Sequence, residues 1–158
     1  MNTVKNFLCP KDCDHVINFH REWFPRDLDH RIKKYHRNTE ALLFENLMVG
    51  DSILRQVYCK LISLIKKSHP KLYINHTEIV RWPTGEGQDP HLDDPESTYT
   101  SLIYLNDNYE GGETHVNKKV IKPKKGKLIF FAGNKMEHGV YDVRQGERYT
   151  IPSWWNTL

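Results

Sequence analysis

A chain of 158 residues holds one domain with a buried core. Its hydrophobic content of 38% and charged content of 27% are ordinary for a globular protein and exclude a disordered or fibrous chain. The net charge of +3 is mildly basic, with clusters only at Lys66–Lys67 and along 118–127. Solvated lysines account for those clusters, so a nucleic-acid partner is not expected. The three cysteines, Cys9, Cys13 and Cys59, are odd in number and lack CxxC spacing. No disulfide framework or zinc site follows from them, and free thiols suit a reducing compartment. No apolar run approaches the ~18 residues of a membrane span. The opening apolar stretch is soon interrupted by Lys11, Asp12 and Asp14 and is no signal peptide. A cytoplasmic location away from membranes is the expectation.

In chain order, Cys9-Pro10-Lys11-Asp12 reads as a helix start. Val16, Ile17, Phe19 and Trp23 then recur at roughly helical spacing until Pro25. Residues 26–46 are charged and irregular, with Leu42, Leu43 and Phe44 a candidate short strand. A second helix is predicted from Gly50 or Asp51 to Lys67, capped by Asp51 or Ser52. Its apolar stripe is Ile53, Leu54, Val57, Leu61, Leu64 and Ile65. After Pro70 the pattern changes to strands: Ile74–Trp82, Thr98–Leu105, Thr114–Ile121, Lys127–Phe131, His138–Val143 and Arg148–Trp155. Short strands with frequent turn signals argue for an antiparallel sandwich or barrel. With helices buttressing it, the chain is expected to be an α+β, mainly β, single domain over 1–158. Helical support is placed at about 1–70 and the sheet core at about 71–158.

The residues that carry chemistry lie in the second half. His91 and Asp93 are two apart, so in an extended segment both point to one side. His138 begins a later strand. Two imidazoles and a carboxylate on one face hold a metal and leave three positions open, as in non-haem iron(II) oxygenases. A His-x-Asp pair alone is a weak signal, because most such pairs are exposed polar residues. Arg148 strengthens it: ten residues beyond His138, it alternates with Thr150 on one strand face. A guanidinium there pairs side-on with the distal carboxylate of a dicarboxylic acid, and Tyr104 adds a phenolic hydrogen bond.

These pieces resemble the catalytic domain of prolyl 4-hydroxylases and related iron(II)- and 2-oxoglutarate-dependent oxygenases. The matching segments are Trp82-Pro83, His91-Leu-Asp93, Leu102–Asn106, Glu110–Thr114, Ile121–Phe131, His138-Gly-Val140 and Arg148–Ile151, with Asn6–Asp14 near the start. The resemblance implies a double-stranded β-helix, or jelly roll, whose mouth holds the iron. It gives His91, Asp93 and His138 the metal and Arg148 the 5-carboxylate of 2-oxoglutarate. Tyr104 also contacts that carboxylate, and Thr150, Trp154, Leu102 and Thr114 line the pocket. Trp82 stands where a tyrosine is usual, which removes any hydroxyl-dependent role there. The implied reaction consumes O₂ and 2-oxoglutarate, releases succinate and CO₂, and hydroxylates an unactivated C–H. Ascorbate is the candidate reductant.

Other titratable residues are read as structural. His115 is placed on the surface or the pocket rim, His76 within its strand, and Asp94 as a loop cap. The expected substrate is a prolyl residue in a flexible peptide or protein segment. The Gly85–Pro90 loop and the 26–46 segment are the candidate peptide clamps. A free amino acid or other small molecule is the alternative substrate, and a non-catalytic metal or 2-oxoglutarate binder the alternative function. A nucleic-acid demethylase of the same superfamily carries a second arginine where this chain has Trp154. Oligomeric state is not legible.

Overall fold

The computed structural model describes residues 1–32 and 38–158. Strand β1 (Asn2–Val4) precedes helix α1 (Pro10–Trp23), strands β2 (Arg31–Ile32) and β3 (Glu40–Leu43), and the short helix α2 (Phe44–Leu47). A 3-10 turn then leads into helix α3 (Ser52–Ser68). The remaining strands are β4 (Leu72–Trp82), β5 (Gln88–His91), β6 (Tyr99–Tyr104), β7 (Glu110–Gly111), β8 (Thr114–Val116), β9 (Lys119–Ile121), β10 (Leu128–Phe131), β11 (His138–Val140), β12 (Val143–Gln145) and β13 (Arg148–Thr157).

Seven strands form the main sheet in the order β1-β10-β6-β13-β4-β3-β2. Four form the minor sheet, β5-β11-β8-β9, and β12 pairs with β7 in a small third ladder. All pairings among the described residues are antiparallel. The result is the expected α+β jelly roll. The first half holds more strand than its helical pattern implies: β1, β2 and β3 all join the main sheet. Phe44, predicted in a strand, instead starts α2. The predicted Thr114–Ile121 strand is a tight hairpin. Asn117 and Lys118 turn it with φ of 48° and 65°, as a two-residue hairpin loop requires.

The helices form because their apolar residues share one face. In α3 the buried positions are Leu54, Val57, Leu61 and Ile65, spaced three and four apart. The Asp51 carboxylate accepts the Leu54 N–H at 2.9 Å and caps the helix. Pro10 starts α1, where its missing N–H costs nothing. Both helices pack on one face of the main sheet, against Ile79, Ile103, Leu105, Tyr149, Ile151 and Trp155. Among the described residues no helix is long and apolar enough to cross a membrane.

Strand alternation sends the other residues of the same strands the opposite way. Leu102 and Tyr104 of β6 join Val116, Ile121, Ile129 and Phe131 in a second cluster between the sheets. Val80 and Trp82 of β4 join Ala41, Val140 and Val143 in a third. On β13, Tyr149, Ile151 and Trp155 serve the helix side, which leaves Arg148, Thr150 and Trp154 for the cavity between the sheets. The expectation that the 26–46 segment clamps a peptide falls partly on 33–37, outside the described residues.

Candidate active site

His91 ends β5 and His138 opens β11, and the two strands pair with these residues in register. Their rings stand 4.4 Å apart between centroids. Asp93 lies just past β5, its backbone N–H bound to the Gly133 carbonyl at 3.0 Å. Its Oδ1 is 3.3 Å from His138 Nε2 and 3.7 Å from His91 Nε2. One ligand atom from each of the three lies within 4.8 Å of the others.

The outer hydrogen bonds orient the rings. His91 Nδ1 donates to the Asp89 carbonyl at 2.9 Å, and His138 Nδ1 to the Met136 carbonyl at 2.8 Å. Each Nδ1 therefore carries a proton, and each Nε2 faces Asp93, the orientation that metal-ligating histidines require. Burial alone raises the Asp93 pKa. Hydrogen bonds from His138, His91 and Thr100 outweigh it and hold the carboxyl well below the usual range. The bond to Asp93 raises the His91 pKa, against the opposing effect of burial. Two neutral nitrogens and an ionised oxygen fit a divalent first-row cation with open positions.

Behind the triad a narrow cavity of about 70 Å³ runs inward between the sheets. Its floor is Arg148, a cation only 1% exposed. The guanidinium stands between two aromatic rings, Cζ 5.2 Å from the Trp82 centroid and 5.8 Å from that of Tyr104. Trp82 thus contributes a face where a tyrosine would contribute a hydroxyl. Arg148 Nη2 donates to Thr114 Oγ1 at 3.1 Å, and the Tyr104 hydroxyl donates to the same oxygen at 2.6 Å. With both lone pairs engaged, the Thr114 proton is left to donate. Burial raises the Tyr104 pKa and keeps its phenol protonated. Among the described residues, Arg148 Nε and Thr150 Oγ1 are buried without hydrogen-bond partners. Buried orphan polar atoms beside an unneutralised cation are costly unless an anion completes them. A carboxylate has the charge and the lone pairs to do so. Leu102 and Trp154 line the same cavity.

A wider vestibule of about 450 Å³ opens outside the triad. Trp154 and His76 form one wall, their rings 5.5 Å apart. His76, read from the sequence as a plain strand residue, also reaches Glu78 at 2.9 Å. Asp94 closes a turn through its carbonyl, which accepts from Ser97 N at 2.9 Å, while its side chain lines the vestibule. The expectation for His115 needs correction. It is neither on the surface nor at the rim but 6% exposed, on the face of β8 opposite Thr114. Its ring lies against Gly139 and meets the Tyr141 ring at a tilt of 41°, centroids 4.7 Å apart. Burial, then the nearby His138, lowers its pKa. Thr100, Gly133 and Gln88, all close to the triad, carry no recognisable sequence signal.

A jelly roll whose mouth gathers two histidines and a carboxylate, above a buried arginine, defines the class of mononuclear metal-site β-helix proteins. Within that class, residues 77–156, just over half of the chain, match the 2OG-Fe(II) oxygenase superfamily. The chain belongs to that superfamily. Prolyl 3-hydroxylase 2 of Rattus norvegicus is 41% identical over 64 residues, covering 35% of this chain and 9% of that protein. This chain thus spans about a tenth of the length of that curated relative. Among solved structures, the viral collagen prolyl hydroxylase of Paramecium bursaria Chlorella virus-1 shares the fold. Its TM-score is 0.77 at 23% identity, covering 99% of this chain and 95% of that one. A prolyl hydroxylase from Trichoplax adhaerens, in complex with a hypoxia-inducible-factor degradation-domain peptide, gives a TM-score of 0.75 at 21% identity, covering 99% and 83%. The epimerase SnoN from nogalamycin biosynthesis gives 0.76 at 13% identity, covering 98% and 76%.

Proposed function

We propose that residues 1–158 form one iron(II)- and 2-oxoglutarate-dependent dioxygenase domain that hydroxylates a prolyl residue in a peptide or protein. The observation that carries this reading is the alignment of two features in one cavity. A His91–Asp93–His138 triad faces the mouth, and a buried, incompletely bonded Arg148 forms the floor. When bound, iron and 2-oxoglutarate supply the O₂ activation that yields succinate, CO₂ and a hydroxylated carbon.

In this reading His91, Asp93 and His138 hold the iron. Arg148 pairs with the 5-carboxylate of 2-oxoglutarate, while Thr150, Thr114 and Tyr104 complete its hydrogen bonds. Leu102 and Trp82 exclude water from the inner cavity, and Trp154 with His76 offers an aromatic wall to the substrate ring. The local 41% identity to prolyl 3-hydroxylase 2 supports a prolyl target.

The test is a proline-peptide library incubated with iron(II) and 2-oxoglutarate, read by mass spectrometry and by succinate release. The expected result is a +16 product on proline that disappears in Asp93→Ala. A +16 product confined to a free metabolite would replace the prolyl assignment, and no succinate with any substrate would replace catalysis with binding. Fragmentation and NMR of the product separate C3 from C4 hydroxylation.

A further inference from the structure

The two oxygens of Asp93 have different surroundings. Oδ1 faces both histidines, at 3.3 and 3.7 Å. Oδ2 points away from them and accepts a hydrogen bond from the Thr100 hydroxyl. Thr100 is buried at the start of β6, which pairs on one side with β10 at Phe131 and on the other with β13 at Trp154. Its backbone is therefore fixed from both sides, and a β-branched side chain has few rotamers to choose from. The hydroxyl is aimed before any metal arrives.

Gly133 makes the contact possible. A Cβ there would stand 2.1 Å from Asp93 Oδ2 and 2.3 Å from Thr100 Oγ1, distances no real atom tolerates. The carbonyl of the same glycine accepts the Asp93 N–H at 3.0 Å. The main chain and the distal oxygen of Asp93 are thus both held by neighbouring groups.

We infer that Thr100 is a positioning residue that keeps Asp93 a one-oxygen metal ligand, and that position 133 is glycine so that this pair can form. A free carboxylate rotates and offers both oxygens to a cation. Chelation through both would fill one of the three positions the triad leaves open and displace the histidines from their shared face. Occupying Oδ2 with a neutral donor prevents this without adding charge. The inference rests on the metal-site reading above, and its test is built to fail separately.

The measurement is Co(II) binding to the whole chain, by affinity and by the visible d–d spectrum, which reports coordination number and geometry. Thr100→Val removes the hydroxyl at nearly constant shape. It is expected to weaken Co(II) binding about tenfold, the lower end of outer-shell effects, and to change the spectrum. Thr100→Ser should restore both, and Gly133→Ala should reproduce the valine variant by displacing the pair. Thr100→Ala carries the same test should the valine variant fail to fold. Wild-type affinity and spectrum in Thr100→Val would overturn the inference, as would a lowered melting temperature with an unmoved spectrum. If wild type and Asp93→Ala bind Co(II) equally, the metal-site reading falls instead.

Discussion

At the scale of single residues, His20 shows how the fold sets a charge. It sits in α1 at 1% exposure, between the ring of Phe24 at 5.2 Å and that of Tyr149 at 5.6 Å. Its Nε2 donates to the Glu40 carbonyl at 3.0 Å, which links α1 to β3. Burial opposes the charged form and pushes its pKa down to about 4, against about 6.5 in an unfolded chain. Between those values the unfolded state binds a proton that the folded state refuses. The contribution to stability is therefore complete above about pH 6.5 and lost as pH falls toward 4. The gap amounts to about 2–3 kcal/mol between pH 7 and 4.5. Urea melts of the metal-free protein should show that loss, and His20→Phe should show a shallower dependence over the same range. Parallel pH profiles in the two proteins would mean that His20 is not the group responsible.

At the scale of elements, Asp51 joins two helices. Its carboxylate caps α3 through Leu54 N and reaches His15 Nε2 of α1 at 2.8 Å. Asp51→Ala should cost about 1–2 kcal/mol, within the range of lost N-caps. Asp51→Asn should lose only a few tenths, since a pair with a partly exposed histidine contributes little. Equal midpoints for wild type and alanine variant in guanidinium melts would remove the cap from the account. The α3 stripe and its cap are legible in the sequence because they are local: Leu54, Val57, Leu61 and Ile65 repeat with the helix itself. β1 and β2 are not legible, because two or three residues carry no period and become strands only by pairing with β10 and β3. The site divides in the same way. His91 and Asp93, or Arg148 and Thr150, declare a shared face by alternation. Thr100 and Gly133 do not, because their roles exist only where β6, the turn after β10 and the loop after β5 meet. His115 escaped for the same reason: the bay that buries it is made by Gly139 on a neighbouring strand.

At the scale of the molecule, the main sheet separates stability from chemistry. One face packs on α1 and α3, while the other, with the minor sheet, encloses Arg148 and the triad. The proposed metal ligands come from two segments distant in sequence, the end of β5 with Asp93 just past it and the start of β11, so a cation bound between them would close a long loop. A ligand that binds only the folded state stabilises it by about 2.7 kcal/mol at a hundredfold excess over its Kd. For a chain of this size that corresponds to a rise of roughly 5–10 °C in Tm. Mn(II) titrated into the metal-free protein should produce this shift, and a chelator should reverse it. Asp93→Ala should abolish it, because two histidines without the carboxylate lose both a ligand and the charge that offsets the cation. 2-Oxoglutarate added with Mn(II) should raise Tm further in the wild type. It should do so much less in Arg148→Ala, where the floor of the cavity no longer offers a partner for the distal carboxylate. An equal 2-oxoglutarate increment in Arg148→Ala would place that carboxylate elsewhere, and an undiminished Mn(II) shift in Asp93→Ala would place the cation elsewhere. The two variants thus test the mouth and the floor of the cavity independently, on a readout that needs no knowledge of the substrate.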